Sequence, residues 1–267
     1  MGSRVDAEGS QVVESAGAKV MPDAPGVPMP AEGNARYGID SPTMIAAFAA
    51  IAAGFAVWGT LVAVGQGIGA AIGPWVAALL CVGAAAYMVR SSRVVKAELW
   101  RGHLDDLELR GKERALDVGC GSGLVTIELA KRLPRGNVVG IDIWRTKDHT
   151  GNSRSTTEAN VAAEGVADRV EIIDASMEEL PFADAEFDVV TASLSLHCLA
   201  LAKGRGDAMK EIMRVTKPGG RVVILDVGKT FEYQAWLNDA GWSNVVRGRG
   251  SYSHYPPVRT VTGRKPR

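Results

Sequence analysis

Leu116-Asp117-Val118-Gly119-Cys120-Gly121-Ser122-Gly123 is the stretch that decides how the C-terminal part of this chain is read. A short apolar run enters three alternating glycines, and an amphipathic helical window follows from Leu124. Glycines in such a turn allow left-handed backbone and bring main-chain N–H groups near a ligand at the helix N-terminus. The dinucleotide fingerprint is spaced G-x-G-x-x-G, with its third glycine inside the helix. Here the spacing is D-x-G-x-G-x-G, and Asp117 stands two residues before the first glycine. An acid at that place suits a ligand with a cationic amino-acid moiety better than one with a pyrophosphate.

Outward from the loop, β-branched runs alternate with helical windows, which implies a parallel sheet with crossover helices. Strands are expected at 115–118, 138–142, 170–174, 187–192 and 221–227, and helices at 124–133, 156–164, 207–216 and 231–240. Two further strands fit 245–248 and 258–262. Asp142 ends the second strand and Asp174 the third. A carboxylate after the second strand can accept hydrogen bonds from a ribose diol, and open α/β sheets bind ligands at these strand ends. Taken singly, each acid also reads as a turn or N-cap carboxylate. All three in register with a glycine loop point to one site.

Toward the N-terminus the character changes twice. Residues 1–42 are rich in Gly, Pro, Ala, Ser and Glu, and are expected to be a disordered tail. No charged residue occurs from Ser41 to Val89. A helix needs about 20 apolar residues to cross a bilayer, so 43–89 supplies two crossings, at 43–64 and 68–89, joined by Gly65, Gln66 and Gly67. Gly65, Gly69 and Gly73 at four-residue spacing are expected to let the two backbones approach closely. Trp75 and Tyr87 suit the interfaces and Trp58 suits them poorly. The alternative is an Ala-rich soluble hairpin, but that fold usually charges its wet face. Arg90, Arg93, Lys96 and Arg101 follow the second span, which places the C-terminal domain, 94–267, on the cytoplasmic side of a multi-pass membrane protein. Lys+Arg and Asp+Glu are equal at 30 each, so no basic excess calls for a nucleic-acid partner. The three cysteines, Cys81, Cys120 and Cys198, are too widely spaced for a zinc knuckle or CxxC pair, and no metal site is expected.

LDVGCGSG, VVGID, the Asp174-Ala175 pair, EFDVVTASLSLH and EIMRVTKPGGRVVILD together resemble the ordered motifs of class I S-adenosylmethionine-dependent methyltransferases, over roughly residues 94–264. The resemblance implies a Rossmann-like seven-stranded sheet of order 3-2-1-4-5-7-6, with the seventh strand antiparallel, preceded here by the transmembrane hairpin. It implies S-adenosyl-L-methionine as cofactor, with Asp117, Gly119, Cys120, Gly121 and Gly123 around its methionine portion and Asp142 on the ribose. Ile143 would pack on adenine, Asp174 and Ala175 would meet the adenine edge, and Ser193 would complete the set. The connection 249–257 becomes a loop on the active-site side. The segment 144–153 is longer and more polar than many family members carry. Within it, Trp144 and Asn152 are candidates to cover the cofactor, a solvated loop being the alternative.

Methyl transfer is an in-line displacement at a carbon activated by its sulfonium leaving group, so alignment and exclusion of water suffice. Whether a base is needed depends on the acceptor. The best candidate base is His197, just past the fourth strand, with a histidine that caps the next turn as the alternative. His254, Tyr252 and Tyr255 are candidates to line an acceptor pocket, or are simply surface. Cys198 beside His197 is read as no nucleophile pair, because adjacent side chains rarely face one another. The expected reaction is methyl transfer to a small, lipid-like or membrane-associated acceptor. The alternatives are an NAD-dependent oxidoreductase and a non-catalytic tethered module.

Overall fold

The computed structural model describes residues 35, 37–145 and 151–267. The disorder expected of 1–42 therefore falls almost wholly outside the described residues, as does 146–150 of the polar segment. The last tail residues that are described make specific contacts. Tyr37 packs against a buried cluster, and Asp40 pairs with Lys96 at 2.9 Å.

Helix α1 (Pro42–Gln66) starts on a proline, whose fixed φ suits a first helical turn. It is separated from α2 (Ile68–Arg90) by Gly67 alone, at φ 93°. The turn is thus one residue, where three were expected. Both helices are long and apolar enough to cross a membrane. Val57, Leu61, Val64, Ile68, Leu79 and Leu80 are all more than half exposed. Burying such a side chain is worth about 1.5–3 kcal/mol, so the hairpin presents an apolar surface that the described residues leave uncovered. The expected glycine contact is elsewhere. A Cβ built on Gly65, Gly69 or Gly73 meets nothing within 4 Å, whereas one on Gly59 would lie 2.5 Å from the Trp75 ring. The reason is that Gly65 belongs to α1 and the other two to α2, so the spacing does not mark one stripe of one helix.

A π-helical turn (Ser91–Val95) joins α2 to α3 (Lys96–Asp105), so one continuous helix runs from Ile68 to Asp105. Such turns often occur at functional sites. Here Ser92 Oγ accepts the Asp40 N–H at 3.1 Å, and Ser91 Oγ accepts the Tyr255 N–H at 2.6 Å. Trp100, fully buried on α3, donates through Nε1 to Ser193 Oγ at 2.8 Å. The hairpin is therefore fixed to the α/β domain by a packed helix.

That domain runs β1 (Arg114–Val118), α4 (Leu124–Arg132), β2 (Asn137–Asp142), α5 (Arg154–Ala163), β3 (Val170–Asp174) and β4 (Phe187–Ser193). It continues with α6 (Ala202–Val215), β5 (Thr216–Asp226), α7 (Thr230–Asp239), β6 (Ser243–Arg247) and β7 (Arg259–Arg264). The sheet order is β3-β2-β1-β4-β5-β7-β6, with β7 antiparallel to both neighbours. This is the architecture the motifs imply. Residues alternate between two buried layers. Leu116 and Val118 face α6 and α7, including Met209, Ile212 and Tyr233, while Ala115 faces α3 and α4, including Trp100 and Ile127. Strands covered on both sides read as almost continuous apolar runs. One boundary differs: β5 starts at Thr216, ahead of the strand expected from 221, and takes in the turn at 217–220. Phe187 pairs with Thr216 and Val189 with Arg221, so that turn bulges out within the strand pairing. Pro218 has no N–H for the ladder, which is what ejects it.

Candidate active site

A cavity of about 370 Å³ opens at the C-terminal ends of the parallel strands. Its floor is the glycine loop. Gly119, Gly121 and Gly123 have φ of 73°, 52° and 86°, the left-handed region that glycine adopts without strain. At Gly119 glycine is required twice over, because a Cβ would sit 2.4 Å from that of Ser195. At Gly121 a Cβ would meet nothing within 4 Å, so the loop's open face there belongs to the cavity.

The loop amides are not the donors the sequence suggests. Gly119 and Cys120 N–H groups both donate to the Ile141 carbonyl, at 2.8 and 2.9 Å, and Gly123 N–H donates to the Cys120 carbonyl at 2.9 Å. Gly121 N–H donates to Asp142 Oδ2 at 2.9 Å. A pyrophosphate needs such amides free; a loop that has spent them internally offers shape and little positive potential. This geometry disfavours a dinucleotide.

Of the three strand-end acids only Asp142 lines the cavity. Its Oδ1 accepts the Trp144 N–H at 2.7 Å, which with the Gly121 bond fixes the carboxylate and leaves lone pairs for a diol. Asp117 alternates to the α4 side of β1 and is buried beneath the loop. There it accepts the Thr126 and Thr191 hydroxyls at 2.7 and 2.9 Å. Burial pushes its pKa up to about 6, and the two hydroxyls partly offset that. Asp117 thus clamps α4 to β4. Asp174, on the edge strand, is exposed and holds Trp144 Nε1 at 2.6 Å and Arg154 at 3.5 Å. Gly123 packs under α5, where a Cβ would meet Thr157 at 3.0 Å. Cys120, Ile143, Ala175, Ser193 and Asn152 line the cavity, and Trp144 does not.

His197 lies in a short turn after β4 (Leu196–Cys198) and lines the cavity. Its Nδ1 is 2.5 Å from Asp226 Oδ1, at the buried end of β5, and Tyr233 Oη donates to Asp226 Oδ2 at 3.1 Å. Burial lowers the imidazole's pKa, but the Asp226 hydrogen bond and charge, with Cys198, outweigh it and raise it to about 10. At neutral pH the ring is an imidazolium, a donor and a positive wall, in contrast to the base expected from sequence. Cys198 Sγ also comes within 3.8 Å of His197 Nε2, because the tight turn folds the neighbours together.

Another wall comes mostly from residues the sequence did not assign to the site: Ser41, Thr43 and Met44 from the start of α1, Asp40 and Lys96 line the same cavity. Of the three loop candidates His254 joins them, with Pro256 of the β6–β7 loop, while Tyr252 and Tyr255 do not. Tyr252 is exposed, and its carbonyl accepts the Tyr87 hydroxyl. The loop therefore sits on the end of the apolar hairpin. Asp40 and Lys96 are far apart in sequence, and no local pattern marks them as neighbours.

The sheet order is that of the Rossmann-like methyltransferase fold, and residues 116–224 match the family model of a methyltransferase domain. The chain is 35% identical over 129 residues to a sterol 4-C-methyltransferase of Caenorhabditis elegans, covering 48% of this chain and 35% of that protein. It is 38% identical over 114 residues to the ubiquinone/menaquinone biosynthesis C-methyltransferase UbiE of Geotalea daltonii, covering 42% of this chain and 45% of that one. The chain thus spans less than half the length of either relative. Among solved structures, a putative S-adenosyl-L-methionine-dependent methyltransferase of Methanococcus maripaludis has TM-score 0.52 at 17% identity, over 66% of this chain and 89% of that one. The cyclase SpnF has TM-score 0.52 at 19% identity, over 64% and 81%. These two show the fold.

The cavity fits the family's cofactor. Asn152 Oδ1 is buried with no partner among the described residues, and the open face of Gly121, the fixed Asp142 carboxylate and half-exposed Ile143 surround the same space. S-adenosylmethionine, when bound, supplies the activated methyl group. Asp142 would hold its ribose, Ile143 its adenine, and the glycine loop its methionine portion.

Proposed function

We propose that this chain is a membrane-anchored methyltransferase that places the methyl group of S-adenosylmethionine on a carbon of a small apolar acceptor drawn from the bilayer. The observation that carries this reading is the shared cavity. Its cofactor end is the glycine loop and Asp142, and its other end is the first turn of α1, with Thr43 and Met44 in its wall. An acceptor can then reach the reacting carbon without crossing water. The two relatives are named for sterol and quinone C-methylation, and both reactions use apolar ring substrates. Arg90 at the end of α2, with Arg93, Lys96 and Arg101 beyond it, supports a cytoplasmic catalytic domain.

The chain's own contribution is alignment, exclusion of water and control of charge. Leu199, Val227 and Met177 give the cavity an apolar wall between its polar ends. His197, held protonated by Asp226, offers an N–H where negative charge would grow on an acceptor oxygen. The test is titration of the full chain in detergent with S-adenosylmethionine. Wild type binds, and Asp142→Ala weakens binding by about tenfold or more, the worth of hydrogen bonds to a charged group. Equal affinity in the two proteins would reject the cofactor site.

A further inference from the structure

We propose that His254, with the Asp40–Lys96 pair, forms the acceptor's recognition site, and that it selects an apolar lipid bearing a free hydroxyl. The inference rests on the methyltransferase reading above and deepens it by naming the substrate class. His254 has no exposed surface and lines the cavity at its hairpin end. Its Nδ1 lies 2.8 Å from the Pro256 carbonyl oxygen. A carbonyl only accepts, so Nδ1 carries the proton. Burial lowers the pKa of this histidine, the Pro256 bond and Asp40 oppose the shift, Lys96 adds to it, and the net direction is down. The ring is therefore neutral at neutral pH, and Nε2 is a bare lone pair.

That lone pair has no hydrogen-bond partner among the described residues. The charged atom facing it is Asp40 Oδ2, 4.0 Å away and itself an acceptor. Asp40 Oδ2 already accepts from Lys96, so it is Nε2 that calls for a donor. Lys96 Nζ stands beside the gap and gives hydrogen bonds of 2.9 Å to both Asp40 oxygens. An ammonium has three protons, and among the described residues no acceptor is seen for the third. A hydroxyl satisfies both unmet groups at once: its proton goes to Nε2 and its oxygen accepts from Lys96. A phosphate or carboxylate brings only acceptors to Nε2 and Asp40, and so does a ketone or ether. The site therefore distinguishes an alcohol or phenol from its ether and a quinol from its quinone. Its place fits this use, because Ser41, Thr43 and Met44 open the cavity where α1 begins, and a polar head held there leaves the tail toward the hairpin.

The test uses the full chain in nanodiscs, saturated with S-adenosylhomocysteine, whose own affinity is measured on the same samples. Two probe pairs separate the two sources of a lipid hydroxyl: cholesterol against its methyl ether, and 2-farnesylphenol against its methyl ether. In wild type at least one hydroxyl probe binds about tenfold tighter than its ether, as expected for a buried hydrogen bond that the ether leaves unmade. His254→Phe removes the preference, and His254→Gln, which keeps an acceptor, retains part of it. Unchanged S-adenosylhomocysteine affinity in either variant shows that it is folded. Equal binding of alcohol and ether in wild type, binding of neither hydroxyl probe, or a preference that survives His254→Phe overturns the inference while leaving cofactor binding intact. Failure of wild type to bind S-adenosylhomocysteine instead overturns the methyltransferase reading and this inference with it.

Discussion

Gly119→Ala and Gly121→Ala make the same chemical change two residues apart, and the structure predicts unequal costs. Both glycines have positive φ, 73° and 52°, so alanine at either bears the left-handed penalty of about 1–2 kcal/mol. Beyond that they differ. The new methyl at position 121 enters open space, while at position 119 it would lie 2.4 Å from Ser195 Cβ and 2.9 Å from Ser195 Oγ. Ser195 cannot retreat freely, because its Oγ donates to the Val118 carbonyl at 2.8 Å and its backbone begins the His197 turn. Overpacking of that kind costs about 1–3 kcal/mol more. In a domain of this size 1 kcal/mol moves the midpoint by about 2–4 °C. Gly119→Ala should therefore melt at least about 2 °C, and up to about 12 °C, below Gly121→Ala. The assay is thermal unfolding of both variants in one detergent without ligand. Isothermal titration of S-adenosylmethionine completes it, since Gly121→Ala should still lose affinity by filling the cradle. Equal midpoints, or an unstable Gly121→Ala with wild-type affinity, would refute the account of the loop.

Other consequences follow from the charged groups. His197 has a folded pKa of about 10 against an ordinary 6.5, so its pairing with Asp226 stabilises fully below pH 6.5 and is lost as pH rises through 10. Asp226→Asn should let burial pull the imidazole pKa down, seen by NMR titration, and should flatten stability over that window; an unmoved pKa contradicts the pairing. Asp117, raised from 3.8 to about 6, favours the fold most below pH 3.8 and progressively less up to pH 6. Thr126→Val should raise that pKa further and cost about 2 kcal/mol at pH 8, less at pH 5, by chemical denaturation; a pH-independent loss contradicts the clamp. Lys96→Met should cost about 3 kcal/mol, because it removes the ammonium that pairs with the largely buried Asp40 carboxylate, and the double variant with Asp40→Leu should recover most of it. No recovery would mean that the pair is not coupled.

Much of the fold was legible because the sheet is covered on both faces. Apolar runs such as 138–141 and 222–225 have no wet side, so they stand out between amphipathic helices. The glycine loop was legible too, since its φ angles exclude other residues. What its amides do was not, because the Ile141 carbonyl that takes two of them comes from the neighbouring strand. The side to which Asp117 turns is set by strand alternation, yet its partners Thr126 and Thr191 lie 9 and 74 residues away. Asp226 ends its strand as many acids do, and only the fold brings His197 to it. The hairpin's close contact hides in a lone Gly59 opposite Trp75, while the glycine spacing that attracts notice lies across a turn. The wall built by Asp40, Lys96 and His254 is the least legible part. Asp40 and Lys96 are 56 residues apart, and His254 sits in a loop that docks only because the helix continues through Ser91.

Membranes containing the full chain, incubated with S-adenosylmethionine carrying a labelled methyl group, provide the most direct measurement. Label should enter the lipid extract, and the transfer should disappear with Asp142→Ala and fall when the acceptor's hydroxyl is blocked. Label confined to the aqueous phase or to protein, with the cofactor still bound, would contradict the claim that the cavity joins a sulfonium cradle to the bilayer.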